Sequence, residues 1–267
     1  MSTIALGAIL GFLVWMYAAH CLLVVVETTA AGGDEVEWPD EPFTDWVWKA
    51  IYVLWIAGVW LVPVGLLLRG GMADRPVAWG SGLVLVFWLT FPVSLLSALG
   101  SNNPWVAVLR PAVLRRMRRK WGLVAIYYAV SGILLAAAAG CVIITLRFDY
   151  RLIPFGGLGL ATWFLMYARL LGKLGWVLYP RLPAGADEGP LAPPKPKREP
   201  SDNGNSPPQR IHPAKHRPPR PRWVFAEGVF LFPWYYDSLA PWLWLTAGFS
   251  VMLGLGYVVI LLGMGNG

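Results

Sequence analysis

Residues 122–146 read GLVAIYYAVSGILLAAAAGCVIITL, without one Asp, Glu, Lys or Arg. As a helix this run extends about 37 Å, at about 1.5 Å per residue. The hydrocarbon layer of a bilayer is about 30 Å thick, and about 20 apolar residues cross it. Five further windows have the same character: 3–26, 47–68, 79–100, 155–179 and 241–263. Three of these five are also free of charge; 47–68 carries only Lys49, and 155–179 carries Arg169 and Lys173. The whole chain is 57% apolar and 14% charged, with a mean hydropathy of +0.53. Soluble domains carry about a quarter charged residues. A soluble enzyme, a coiled coil and a disulfide scaffold are disfavoured together. The expected fold is all-α: a polytopic transmembrane helix bundle of about six spans.

Tryptophan placement supports the count. Of sixteen Trp, eleven fall at window edges or in connections, and only Trp15, Trp55, Trp60, Trp88 and Trp163 lie deeper. An indole has an apolar body and a polar N–H, so it favours the headgroup layer. The first window has no Lys or Arg before it and is longer than the core of a cleaved signal; a retained span is expected. Cys21 falls near the cytoplasmic end of its window and Cys141 near the external end of its own, about 20 Å or more apart in depth, and they are read as unpaired, since a disulfide needs Cα atoms within about 7 Å.

Charge sets the expected orientation. Six spans put loops 27–46, 101–121 and 180–240 on one side. The last two loops hold fifteen Lys and Arg, against Arg69, Arg75, Arg147 and Arg151 opposite. By the positive-inside rule the basic loops are cytoplasmic, both termini external, and the protein a multi-pass component of the cytoplasmic membrane. Loop 27–46 is acidic (Glu27, Asp34, Glu35, Glu37, Asp40, Glu41, Asp45), and acidic residues contribute little to orientation. If window 155–179 did not cross, the inference for everything after it would reverse.

Residues 1–180 are expected to form a five-span bundle, 181–222 a linker, and 223–267 an interfacial segment followed by the last span. Twelve Pro and eight Lys or Arg crowd residues 183–222, too little apolar surface to offset the entropy of ordering, so disorder with polyproline character follows. The segment 111–121 predicts an amphipathic helix lying on the membrane. Pro111 suits the first turn, Leu114, Met117 and Trp121 share one face, and Arg115, Arg116, Arg118, Arg119 and Lys120 crowd the rest. Such a helix is drawn to anionic lipid headgroups by about 1 kcal/mol per basic residue. Its apolar neighbours tie it to the bilayer, so nucleic acid is not an expected partner; lipid and other membrane proteins are. Small residues at four-residue spacing, Gly7/Gly11, Gly132/Ala136/Gly140 and Ser250/Gly254, let helix backbones approach closely. The run 155–159, Phe-Gly-Gly-Leu-Gly, reads as a flexible external end.

Ionisable groups inside spans are costly and point to function. Arg169 and Lys173 are one turn apart, about 15 and 9 Å below the end of their window. His20, Ser94, Ser97 and Ser131 fall at comparable depth in other windows. Convergence of these six residues would make a cationic pocket for a phosphate or carboxylate, open to the cytoplasmic leaflet. The alternative is that Arg169 and Lys173 snorkel to the headgroups and His20 bonds a nearby hydroxyl. No phosphate-cradling glycine loop, His-Glu-x-x-His, Cys-x-x-Cys or nucleophile elbow is present, so neither a catalytic constellation nor a cofactor or metal site is read from the chain. The leading expectation is a non-enzymatic membrane scaffold or accessory subunit; the alternative is a lipid- or small-anion-handling carrier.

Two stretches, FPVSLLSAL at 91–99 and YARLLGKLGW at 167–176, resemble segments of bacterial multi-pass integral membrane proteins with a similar span pattern. The resemblance covers about residues 80–180 and implies a polytopic fold without implying an activity.

Overall fold

The computed structural model describes residues 2–33, 36, 38, 42–72, 76–100, 110–148, 150–179, 224–226 and 228–264. Every regular element among them is helical: α1 (Ser2–Ala31), α2 (Phe43–Met72), α3 (Pro76–Leu99), α4 (Pro111–Arg119), α5 (Trp121–Phe148), α6 (Ile153–Leu178) and α7 (Tyr236–Met264), with short 3₁₀ turns at Tyr150–Leu152 and Phe232–Trp234. The proline-rich stretch 181–222, with His212 and His216, lies outside the described residues.

Each long helix begins before its apolar window, and four of the six also run past its end, because an α-helix satisfies its own backbone whether or not its ends remain in hydrocarbon. Glu27 thus belongs to α1 and not to a loop. Five helices, α1, α2, α3, α5 and α7, are long and apolar enough to cross a membrane. Large apolar side chains stand exposed on their outer faces, among them Leu66 (67%), Leu67 (78%) and Ile133 (70%). A water-soluble protein rarely shows such a continuous apolar girdle; these are the surfaces of a membrane-embedded protein.

Helix α6 has 26 residues, about 39 Å at 1.5 Å per residue, yet it falls short of the others in apolarity. It is the axis of the bundle, buried along one face at its start and on all sides from Tyr167 to Leu178. Its neighbours replace lipid as its surroundings, which is where polar residues in a membrane helix are tolerated. Contacts give its direction. Thr162 of α6 meets Trp242 of α7, while Gly156 meets Leu253, so those two helices are antiparallel. Gly7, Gly11 and Gly248 place α1 antiparallel to α7 through Leu255, Met252 and Val14. Helix α6 therefore runs with α1 and α3, and against α2, α5 and α7. The start of α1 and the end of α7 lie at the same end of the bundle.

Glycine sets the closest approaches, though not chiefly the glycines that the four-residue spacing singles out. Gly7 and Gly11 do face α7, and Gly132 faces Trp88, but nothing lies within 4 Å of a side chain added at Gly140. The tight contacts are on α6. A Cβ at Gly157 would run into Ser250 and the Thr246 carbonyl, one at Gly156 into Thr145 and Leu253, one at Gly172 into Thr29, and one at Gly175 into Leu96 and Ala30. The run 155–159 is thus helix interior, where missing side chains let α5 and α7 close on α6.

Many polar groups inside the bundle are satisfied locally or across helices, while the Trp46 and Trp163 indole N–H groups have no hydrogen-bond partner among the described residues. Thr90, Thr145, Thr246 and Ser250 each donate to the carbonyl one turn earlier. Two of the deep tryptophans bridge helices: Trp60 donates to Ser94 at 2.7 Å and Trp88 to Ser131 at 3.0 Å. Tyr128 donates to the Leu89 carbonyl at 2.7 Å, and Trp242 to Thr162 at 2.9 Å. Such bonds contribute about 0.6 kcal/mol each in a membrane, so they set register more than they supply stability. Both cysteines are free.

Two segments read from the sequence gain detail in the structure. In α4 the buried residues are Val113 and Met117, one turn apart, while Leu114 and Trp121 are exposed at 46% and 71%; the helix turns Val113 and Met117 to the bundle and leaves the other two for lipid. The segment before α7 also turns apolar side chains inward. Phe225, Val229 and Phe232 are buried, and Phe225 packs on Tyr127 of α5 with ring centroids 6.2 Å apart.

The α6 contacts generate a graded prediction. Gly157→Val should cost at least the 1–3 kcal/mol typical of overpacking, because it meets backbone. Gly140→Val should cost under about 0.5 kcal/mol, because the added Cβ enters open space. Equilibrium unfolding in mixed micelles measures both.

Candidate functional site

The two intramembrane cations sit on the central helix and face the bundle. Arg169 has no exposed surface and Lys173 retains 8%. Arg169 Nη1 donates to Thr29 Oγ1 of α1 at 3.0 Å. Its guanidinium carbon lies 5.0 Å from the centroid of the Phe232 ring, within the reach of a cation–π contact. The Lys173 ammonium stands 5.9 Å from the Trp176 ring centroid. Gly172 makes this possible: with no side chain there, α1 comes close enough at Thr29 and Val26 to meet a guanidinium one turn away. Neither side chain snorkels along a lipid-facing surface.

The other four candidates are held by different partners. His20 and Thr29 are nine residues apart, two and a half turns, and so point to opposite sides of α1. His20 stacks on Trp46 of α2, with ring centroids 5.1 Å apart, and its Nδ1 lies 3.4 Å from Lys49 Nζ. An ammonium only donates, so Nδ1 accepts and the imidazole is in its neutral form. Ser94 and Ser131 accept the indole N–H groups of Trp60 and Trp88. Ser97 accepts the backbone N–H of Arg110 at 3.3 Å. The structure brings Arg169 and Lys173 onto one face of α6 and sends His20 and the three serines to other interfaces.

A second polar region gathers where α3, α4 and α6 end. The final carbonyls of a helix have no partner within it and carry the negative end of its dipole. Here basic side chains take that position. Arg110 Nη1 donates to the Gly100 carbonyl at 2.7 Å, and Lys120 Nζ donates to the Val177 carbonyl near the end of α6. The Tyr179 hydroxyl donates to the Leu96 carbonyl, its ring covering Gly100, and the Arg116 guanidinium lies 5.9 Å from the Tyr179 ring centroid. Arg115, Arg118 and Arg119 remain exposed. The basic cluster thus divides: two members engage the bundle end and three project from it. Arg110 and Tyr179 stand out in no motif; only the meeting of helix ends distant in sequence assigns them a role.

No family model matches the chain, and no curated protein or solved structure is significantly similar to it. Among the described residues, no group of three or more His, Cys, Asp or Glu is placed to hold a metal ion.

The Arg169–Thr29 contact is testable by a double-mutant cycle. Thr29→Val should destabilise the protein by about 1.5–3 kcal/mol, the range for a hydrogen bond to a charged group. The same change should cost under about 0.5 kcal/mol once Arg169→Met has removed the guanidinium.

Proposed function

We propose that the protein is a non-enzymatic membrane scaffold or accessory subunit whose basic end docks on anionic lipid headgroups of the cytoplasmic leaflet. The supporting observation is the setting of α4. Val113 and Met117 anchor the helix in the bundle, and Lys120, the residue that follows it, bonds the Val177 carbonyl of α6. Arg115, Arg118 and Arg119 are left exposed on a rigid mount. A surface of three guanidinium groups at the edge of an apolar bundle suits phosphate, for which the planar Arg fork has the right geometry. The same end carries the greater share of basic residues, hence its assignment to the cytoplasmic side. A carrier using Arg169 and Lys173 is less well supported, because the Arg169 guanidinium is already engaged by Thr29 and Phe232.

At about 1 kcal/mol per basic residue near an anionic surface, replacing all three exposed arginines by Gln should weaken retention of phosphatidylglycerol about a hundredfold. Native mass spectrometry of the detergent-purified protein reads this directly, and unchanged retention would refute the docking role. Orientation has its own test. In a variant lacking Cys21 and Cys141, a cysteine at position 118 should react with a membrane-impermeant maleimide only after the cytoplasmic face is opened.

A further inference from the structure

Helices α1 and α7 touch closely at one end and part at the other. At the closed end Gly7 and Gly11 pack on Leu255 and Met252, and the contact of Gly248 with Val14 bounds the deep end of the gap. Towards the start of α7 a cavity of about 810 Å³ opens between them, floored by α2 and by Trp38. That volume lies within the roughly 300–1,000 Å³ of small-molecule sites. From Asp237 to Val251 its wall on α7 spans fifteen residues, about 21 Å from first to last, or the headgroup layer plus most of one leaflet.

Its lining changes character along that length. The deep part is aliphatic: Leu10, Leu13, Val14, Ala247, Gly248 and Val251. The shallow part is aromatic, with Tyr17, Phe43 and Trp46 in one cluster. The Trp46 ring centroid lies 5.5 Å from that of Tyr17 and 5.8 Å from that of Phe43. Asp237, exposed at the rim, is the one carboxylate among the described residues of the lining, and no described Lys or Arg lines the cavity. His20 also faces it, as a neutral ring turned to Lys49. An aliphatic slot one leaflet deep takes an acyl chain. Aromatic faces in a cavity with a carboxylate at its rim attract an ammonium, by about 0.5–2 kcal/mol for the cation–π part, and give no advantage to an anionic headgroup.

We infer that the α1/α7 cavity is a binding site for one membrane lipid with an amine headgroup, its acyl chain between Leu13 and Ala247 and its ammonium against the Tyr17/Phe43/Trp46 cluster beneath Asp237. This site is separate from the exposed arginines of α4 and has the opposite charge preference.

The test is native mass spectrometry of delipidated protein supplied with equal amounts of phosphatidylethanolamine and phosphatidylglycerol. Wild-type protein should keep one phosphatidylethanolamine that Ala247→Trp, filling the slot, releases at least about tenfold more readily. Asp237→Asn should still hold a lipid but lose the preference for the amine headgroup. Replacing the three α4 arginines should leave this lipid in place, which separates failure of the cavity from failure of the α4 reading. If Ala247→Trp does not fold, Leu13→Trp on the opposite wall is read instead. Loss of phosphatidylglycerol rather than phosphatidylethanolamine on filling the slot, or no loss from a folded variant, would overturn the inference.

Discussion

The bundle depends on how closely other helices can approach α6. In lipid, helices gain little from hiding apolar surface, because the tails outside are as apolar as the side chains within; contact has to come from dense packing. Dispersion falls off steeply with separation, so a gap of even 0.5–1 Å forfeits a quarter to a half of each contact. Gly156 and Gly157 remove the obstruction at one end of α6, and Gly172 and Gly175 at the other. From Tyr167 to Leu178 α6 is enclosed, and a residue as polar as Arg169 can be buried without a lipid-facing side. The central helix is thereby both the least apolar of the six long helices and the most completely shielded.

Enclosure has an electrostatic consequence. A cation in a membrane span is tolerable only where partners replace water. Arg169 finds a hydroxyl from α1 and an aromatic face from the turn before α7, so two remote segments meet on one guanidinium. At the bundle end the same chemistry is turned outward. Arg110 and Lys120 meet the terminal carbonyls of α3 and α6, where cations favour the helix dipole, and this fastens α4 so that its remaining arginines stand free. The basic residues therefore serve partly as structure and partly as surface, a division that composition alone does not reveal.

Particular elements explain how far the chain could be read. The long windows were legible because a span is a local property: twenty uncharged residues make a membrane helix whatever surrounds them. The α4 segment was legible in its helicity and charge, but not in its buried face, since Val113 and Leu114 differ only in which neighbour happens to lie opposite. The Gly-rich start of α6 was misread as flexible, because glycine lowers helix propensity in isolation while permitting close contact in a bundle. His20 and Arg169 sit at similar depth, yet the angular phase of α1 separates their partners, and depth counted along the chain carries no such phase information between helices.

What the sequence determined by itself was the solvent, the number of long helices, their approximate limits and the crowding of basic charge between them; each follows from hydropathy and length acting over twenty neighbouring residues. Tertiary structure alone decided that α6 is the axis, that Arg169 meets Thr29, that Arg110 and Lys120 close helix ends, and that α1 and α7 part to leave a cavity. Those outcomes depend on rotation and approach between helices dozens to more than a hundred residues apart, where one missing Cβ matters more than any average over a window.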